Sequence, residues 1–235
     1  MKRETVRLFS TVEHACGYYP DRLAKNCVLD PQAPQLGRLY ASALAQGFRR
    51  SGDHVYRPNC NHCQACVPTR LPVAQFQPSR SQRRCWQRNT DLGLRVEAPG
   101  YSDEAFALYQ RYLQQRHPGG GMDQPTPEDF VHSLYTEWSG TAFLTLRLGD
   151  RLVAIAVTDV TPVGLSAVYT FFDPAQSARG LGVYAILAQI EWTKRLALPH
   201  LYLGYWIDGH PKMHYKNHYR PIECWREGRW QQLAV

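Results

Sequence analysis

The sequence predicts a mixed α/β protein of the α+β class, in which a smaller cysteine-bearing domain precedes a larger domain built on strands and one long helix. Six of the seven cysteines and most of the positive charge lie in the first hundred residues. The longest strand-like and helical patterns lie after residue 140. We therefore expect one domain over residues 1–95 and a second over residues 96–235.

Positive charge is distributed unevenly along the chain. Residues 1–100 contain 15 Lys+Arg against 7 Asp+Glu, whereas residues 101–235 contain 12 against 13. Residues 49–88 alone contain eight arginines and one acid, Asp53. This concentration is typical of a protein with a polyanionic partner, although a solvated basic face that maintains solubility gives the same pattern.

Three cysteines, Cys60, Cys63 and Cys66, are spaced three residues apart. This spacing is typical of thiolates that bind a metal, but four ligands are normally needed and no second CxxC pair follows. The first 16 residues lack the apolar segment of a secretory signal, and no run approaches 18 apolar residues. We therefore expect a cytoplasmic protein with reduced thiols and no membrane contact.

Residues 78–89, PSRSQRRCWQRN, predict a helix that begins at a Pro-Ser signal and displays arginine. The predicted stripe consists of Arg80, Arg84 and Arg88, with Arg83 beside it. Like charges four residues apart destabilise an isolated helix, so the stripe implies a partner that offsets the repulsion. Phosphate groups suit the arginine fork, and these four residues are the candidate contacts to a nucleic acid.

The middle of the chain predicts supporting structure. Residues 101–135 have the pattern of two helices capped by Ser102 and Thr126, separated by a Gly/Pro-rich loop. We expect the helices to be scaffolding, and the loop over residues 117–127 is a candidate lid.

The second half predicts antiparallel strands over residues 141–174 with a hairpin turn at Gly149-Asp150, a long helix within 177–198, and a strand over 200–207. This order matches the core of the GNAT acyltransferase fold. In that fold a glycine turn and the helix N-terminus present backbone N–H groups to phosphates. The candidate residues here are Arg179, Gly180, Gly182 and Tyr184, although an ordinary strand-to-helix turn also favours glycine.

The segment after the last predicted core strand, residues 202–223, is unusually rich in donors and acceptors. It includes Asp208, Lys212, His214, Tyr215, Lys216, His218 and Tyr219. The two histidines four residues apart lack the acid of an HExxH zinc motif. We therefore expect these side chains to contact substrate.

Several blocks, in order, resemble the arginyl-tRNA–protein transferase family, in particular its short bacterial branch. The blocks are CGYYPDRLA (16–24), GFRRSGDHVYRPNC (47–60), CVPTRLPVAQFQPSRSQRR (66–84), FFDP (171–174), GLGVYAIL (180–187) and YLGYWI…KMHYKNHYRPIE (202–223). The resemblance implies transfer of leucine from leucyl-tRNA to the N-terminal amine of proteins that begin with Asp or Glu. The modified protein then becomes a substrate for regulated proteolysis.

The resemblance also implies roles for the cysteines. In relatives with a metal or iron–sulfur centre, an early Cys-x-x-Cys joins later cysteines. Here the motif keeps Cys16 but has Tyr19 in place of its second cysteine. We expect no required cofactor, and Cys16, Cys60, Cys63 and Cys66 form a candidate zinc or iron–sulfur site.

Aminoacyl transfer needs a group that accepts the amine proton and groups that stabilise charge. Asp208 or Asp173 is the candidate proton acceptor, and Tyr215 is a candidate catalytic residue. Lys212 and Lys216 are candidates to bind the acceptor's carboxylate.

Three alternatives stay open at this point. The donor is arginyl-tRNA, or the protein is an acetyl-CoA-dependent N-acetyltransferase, or it is a nucleic-acid-binding zinc protein without catalysis. Acetyl transfer leaves the arginine-rich first half unexplained, and a binding protein leaves the polar segment unexplained.

Overall fold

The computed structural model describes residues 6–116 and 124–233 as a mixed α/β protein with two main sheets. The helices are α1 Leu36–Leu44, α2 Arg80–Arg88, α3 Asp103–Arg116, α4 Pro127–Leu134 and α5 Leu181–Arg195. The strands are β1 Leu8–Ser10, β2 His14–Ala15, β3 Leu23–Ala24, β4 Asn26–Leu29, β5 Arg49–Ser51, β6 His54–Pro58, β7 Val67–Pro72, β8 Leu92–Glu97, β9 Thr141–Leu148, β10 Arg151–Thr161, β11 Gly164–Phe172, β12 His200–Trp206, β13 Glu223–Arg226 and β14 Arg229–Gln232. Most of the candidate lid lies outside the described residues.

The first half forms a four-stranded antiparallel sheet in the order β1-β4-β6-β5, with β2 and β3 as a separate short ribbon. Helix α1 covers this sheet through Leu36, Tyr40 and Leu44, which pack with Leu29 and Val55. Strand β5 extends this small unit toward the larger sheet. Two of its side chains, described below, end inside that sheet.

The larger sheet has eight strands in the order β14-β13-β7-β12-β11-β10-β9-β8. Strand β10 is buried along almost its whole length because both faces of the sheet are covered. Its Ile155 and Val157 pack under α3 and α4, whereas Ala154 and Ala156 pack under α5. Strand β7 precedes residue 96 and strand β8 spans it, yet both strands belong to this larger sheet. The division into two domains at residue 96 stays a prediction.

Several local predictions are confirmed. Gly149 adopts a φ of 59° in the turn between β9 and β10, as a two-residue hairpin requires. Helix α2 begins with a reciprocal capping box between Ser79 and Gln82, and α4 begins with one between Thr126 and Asp129. Antiparallel β9–β11, the glycine turn, α5 and then β12 give the predicted GNAT-like order.

The feature that positions the site is a split between two parallel strands. Strands β11 and β12 pair only at Leu165 with Leu201 and at Ser166 with Tyr202. Beyond these positions the strands separate toward their carboxyl ends. Ligand sites in open sheets lie at such carboxyl-end crevices, so the opening between β11 and β12 is the first candidate.

None of the helices within residues 6–116 and 124–233 is both long enough and apolar enough to cross a membrane.

Candidate active site

One guanidinium fills the opening between β11 and β12. Arg49, on β5, is only 9% exposed. Its Nη2 donates to the carbonyl oxygen of Ala167 at 2.7 Å and to that of Val168 at 3.4 Å, both on β11. Its Nη1 faces Gly204 on β12, where an added Cβ would lie 2.2 Å away. Within the described part of the chain, Nη1 is buried without a hydrogen-bond acceptor.

Lys216 is a second buried cation in this region, at 4% exposure. Its Nζ lies 3.5 Å from the sulfur of Met213 and 4.6 Å from the ring centre of Tyr215. Burial, followed by the nearby positive charge of Arg49, lowers the pKa of Lys216 to about 7. No carboxylate in residues 6–116 or 124–233 pairs with either cation.

The neighbouring Arg50 is fully satisfied. Its Nε and Nη2 each donate to the carboxylate of Asp159 at 2.8 Å, and both side chains are 0% exposed. The hydroxyls of Tyr40 and Thr141 donate to the same carboxylate at 3.0 and 2.7 Å. Asp159 is therefore committed to Arg50, which leaves Arg49 without a counter-charge.

The predicted catalytic residue Asp208 lies beside a histidine. Its Oδ1 is 3.3 Å from Nδ1 of His214, which also accepts a hydrogen bond from the backbone N–H of Gly209 at 3.0 Å. Nε2, the other ring nitrogen, lies 3.1 Å from Nδ2 of Asn217, and a neutral imidazole accepts at one nitrogen only, so the tautomer decides whether Gly209 or Asn217 donates to the ring. Asp208 then stabilises the ring once it gains a second proton. His214 was not among the predicted catalytic residues.

The other predicted catalytic and acceptor-binding residues lie in different environments. Tyr215 is 41% exposed and lies next to the buried Lys216. Lys212 is exposed, and its backbone N–H donates to His210. Asp173 is 3% exposed, accepts from the backbone of Ala175 at 3.0 Å and pairs with Arg151. The structure thus brings Tyr215 and Lys216 into contact, whereas Lys212 is exposed and Asp173 is paired with Arg151.

The glycine turn begins α5, as predicted. Gly180 adopts a φ of 67° and is the N-cap residue of the helix. Arg179 forms a two-pronged ion pair with Asp91, both contacts at 2.9 Å. Gly182 lies against Phe172, where an added Cβ would be 3.4 Å from the ring. Tyr184 is 3% exposed, so it packs in the core rather than lining a surface.

Helix α2 lies against this turn and exposes its arginines. Cys85 of α2 contacts the carbonyl oxygens of Arg179 and Gly180 at 3.6 and 3.5 Å. All four predicted arginines are exposed. Arg83 and Arg88 donate to backbone carbonyls, whereas Arg80 and Arg84 have no hydrogen-bond or ion-pair partner among the described residues. The exposed positive face therefore borders the N-terminus of α5.

A cavity of about 730 Å³ lies between the β2–β3 ribbon and the ends of β7 and β12. Its walls include Cys16, Cys60, Cys63, Cys66, Tyr18, Tyr56 and Tyr205. The polar segment packs against one wall, because the ring of His210 lies edge-on to the rings of Tyr18 and Tyr19 at 5.5 and 5.8 Å. The four predicted metal ligands thus share one cavity.

These four thiols have suitable chemistry for zinc or an iron–sulfur cluster but do not fit one as they are placed. In the described ranges no three His, Cys, Asp or Glu side chains approach closely enough to hold a metal. A backbone hydrogen bond at Ala65, with one from Arg22 at 3.3 Å, lowers the pKa of Cys63. Burial, with the other three cysteines nearby, raises the pKa of Cys66 to about 12. The predicted cysteine site stays a prediction.

Sequence reasoning missed Arg49 as a site residue. It was one of eight arginines between residues 49 and 88 that together indicated a polyanion, but Arg49 and Arg50 are buried in the larger sheet. Arg70 likewise pairs with Glu223 at 2.6 Å. Arg57 donates to the carbonyl oxygen of Gln46 and lies over the ring of Phe48. The arginines of this region without such partners lie on helix α2.

Comparisons with known proteins agree with the predicted resemblance. The family models "Arginine-tRNA-protein transferase, N terminus" and "C terminus" match residues 14–84 and 104–226. A Stenotrophomonas maltophilia aspartate/glutamate leucyltransferase is 57% identical, covering 98% of this chain and 94% of its own. A Pseudomonas aeruginosa protein of the same name is 49% identical, covering 97% of each.

Among solved structures, "The structure of L-PGS from Bacillus licheniformis" superposes with a TM-score of 0.48 and 13% identity, covering 63% of this chain and 47% of that chain. The family models match both halves of the chain in order, and the relatives match it nearly end to end. This chain belongs to the arginine-tRNA-protein transferase family.

Proposed function

We propose that this protein transfers leucine from leucyl-tRNA to the α-amine of proteins that begin with Asp or Glu, in the cytoplasm. The observation that carries the proposal is the 57% identity, over 98% of this chain, to a relative named aspartate/glutamate leucyltransferase. All seven cysteines are free thiols, in keeping with a reducing compartment. The product is a protein with a new N-terminal leucine, which marks it for degradation by the N-end rule.

The reaction needs little beyond alignment of two substrates. The acceptor's neutral α-amine attacks the carbonyl carbon of the leucyl ester, an amide bond forms, and the ester bond to the terminal ribose breaks. The amine loses one proton, and the ribose oxygen leaves as a hydroxyl with one proton. An α-amine has a pKa of about 7.7–8.0, so part of it is neutral near pH 7. Good alignment supplies about 7–11 kcal/mol, and no step requires a cofactor.

Helix α2 and the N-terminus of α5 support the placement of the donor. Exposed Arg80 and Arg84 have no partner within the described residues, and α2 packs directly on the glycine turn. A helix N-terminus beside exposed arginines suits the phosphates of a tRNA acceptor end. The adjoining β11 leads from this turn to the opening that Arg49 fills, so the leucyl ester would reach the site of attack.

The pair of Asp208 and His214 supports a route for the amine proton. The carboxylate is 3.3 Å from the imidazole, a contact that stabilises the ring when it accepts a proton. The pair follows β12, the strand that forms one side of the opening. Asp173 accepts a hydrogen bond from the backbone of Ala175 and pairs with Arg151, so it is a weaker candidate for the same role.

Transfer assays with the purified protein test this function. Leucyl-tRNA and arginyl-tRNA, each carrying a labelled amino acid, are incubated with peptides that begin with Asp, Glu, Arg or Lys. We expect label only from leucyl-tRNA and only on the Asp and Glu peptides. Label from arginyl-tRNA would assign the other donor, and label on Arg or Lys peptides would reject the proposed acceptors.

Replacing Arg80 and Arg84 with alanine should weaken leucyl-tRNA binding and make the remaining affinity less dependent on salt. Each lost phosphate contact reduces the slope of log K against log salt by about 0.7–0.9. The control is the Arg38→Ala and Arg229→Ala double variant, which removes the same charge from exposed positions elsewhere. Unchanged tRNA affinity in a folded α2 variant would show that this helix does not bind the donor.

Anaerobically purified protein should contain well under one equivalent of zinc or iron, because the four thiols do not converge. Metal analysis and visible absorption measure this directly. The Cys63→Ser variant should then keep its transfer activity. Stoichiometric metal that disappears in Cys63→Ser would establish the cysteine site instead.

A further inference from the structure

Two buried cations without a counter-ion mark a place where an anion is missing. Arg49 and Lys216 are 9% and 4% exposed, and no carboxylate of the described ranges pairs with either. Burying one unpaired charge is costly, and two like charges in one region add repulsion. A protein retains such an arrangement when a ligand supplies the opposite charge.

The unpartnered Nη1 of Arg49 indicates where the missing anion would bind. Buried polar groups almost always have hydrogen-bond partners, so an orphaned guanidinium N–H suggests a ligand atom. The remaining contacts of Arg49 hold it in place, because Nη2 donates to the carbonyl oxygens of Ala167 and Val168. Gly204, which has no side chain, lets the guanidinium lie against β12.

Arg49 lies close behind the wall of the large cavity, because its guanidinium contacts Gly204, which precedes Tyr205 of that wall. Burial raises the pKa of Tyr56 in the cavity wall, and the guanidinium of Arg49 opposes this shift. Burial raises the pKa of Cys66 in the same wall, and Lys216 opposes that shift in turn. Neither cation lines the cavity itself, whose volume of about 730 Å³ is large enough for a peptide end.

The burial of Arg49 and Lys216 indicates which class of anion they bind. Phosphates of a tRNA backbone are carried on a bulky chain and suit exposed arginines such as those of α2. A carboxylate on a short side chain, one residue from a free chain end, can reach buried donors. Charge-assisted bonds from a guanidinium and an ammonium suit a carboxylate oxygen pair.

We propose that Arg49 and Lys216 form the subsite that binds the side-chain carboxylate of the acceptor's N-terminal Asp or Glu, at the opening between β11 and β12. This inference rests on the proposed function and assigns the residues that set its acceptor specificity. Lys216 thus remains a predicted contact to the acceptor, and Arg49 takes the role that the sequence predicted for the exposed Lys212. The acceptor's amine would lie beside the end of β11 that leads to the glycine turn at the start of α5.

Binding measured without donor tests the subsite separately from catalysis. Calorimetry compares a peptide that begins with Asp and its Asn counterpart, which differ only by the charged group. The wild type should bind the Asp peptide about 100-fold more tightly, within the range for desolvated charge pairs. Arg49→Gln and Lys216→Met should each remove most of this preference while affinity for leucyl-tRNA stays unchanged. The charge-matched control, Arg38→Gln, should retain the preference.

Lys216→Met keeps the test decisive if Arg49→Gln fails to fold, because Met is a long apolar side chain that suits a buried position. An unchanged Asp-over-Asn preference in folded Lys216→Met would overturn the subsite. So would a loss of leucyl-tRNA affinity with unchanged peptide affinity, which would assign the cations to the donor. If the wild type transfers no leucine but binds Asp peptides through these residues, the proposed reaction fails and the subsite stands.

Discussion

Replacing Asp159 with alanine should lower the free energy of unfolding by about 3–5 kcal/mol, because it leaves the guanidinium of Arg50 buried without a counter-charge. Both side chains are 0% exposed, and the carboxylate also accepts from Tyr40 and Thr141. For a chain of this size the melting temperature should fall by about 2–4 °C per kcal/mol. Urea denaturation and thermal melting measure the two quantities.

The matched control removes both charges together. The Arg50→Met and Asp159→Leu double variant leaves no unpaired charge, so it should be more stable than Asp159→Ala. The comparison separates the cost of an orphaned charge from the cost of lost packing. A loss below about 1 kcal/mol in Asp159→Ala would mean that Arg50 finds water or another acceptor when its partner is removed.

Gly204→Ala should reduce kcat/KM for acceptors that begin with Asp by about 100-fold, the cost expected when a buried charge contact to the substrate is lost. The added Cβ would lie 2.2 Å from Nη1 of Arg49, so the guanidinium must leave the opening between β11 and β12. The φ of 82° at this position adds backbone strain of about 1–2 kcal/mol. Steady-state transfer kinetics with leucyl-tRNA measure the effect.

Gly149→Ala controls for the strain alone. Gly149 also has a positive φ, 59°, but an added Cβ would meet no atom within 4 Å. This variant should lose some stability and keep its acceptor kinetics. Equal kinetic losses in both variants would show that backbone strain, not displacement of Arg49, lowers activity.

The local elements were predictable from sequence because their signals are local. The Ser79 and Thr126 caps, the Gly149 turn and the glycine at the start of α5 each act within a few residues. Strand β7 was not predictable in the same way. Its sequence, VPTRLP, contains two prolines, which disfavour a central strand. Its place in the sheet comes from partners more than a hundred residues away.

The residues of the candidate site differ in the same way, because some depend on local contacts and others on distant ones. Asp208 and His214 lie in one polar segment, and their proximity follows from the turn between them. Arg49 is different, because in sequence it is one more arginine in a basic stretch. Its burial depends on a contact with β11, where the acceptor Ala167 lies 118 residues further along the chain. Charge counting cannot distinguish a guanidinium held by distant carbonyl oxygens from one that is free on a helix surface.

The position of β7 between β12 and β13 also determines when this enzyme can mature on the ribosome. Leu71 pairs with Leu201, and Thr69 pairs with Cys224, so β7 gains these neighbours only after 130 to 155 further residues have been synthesised. At about 5–20 residues per second, the strand waits on the order of ten seconds after its synthesis. A nascent or truncated chain therefore carries the exposed arginines of α2 without a closed sheet beneath them. Catalytic competence is acquired only after β12 and β13 have been synthesised and have paired with β7.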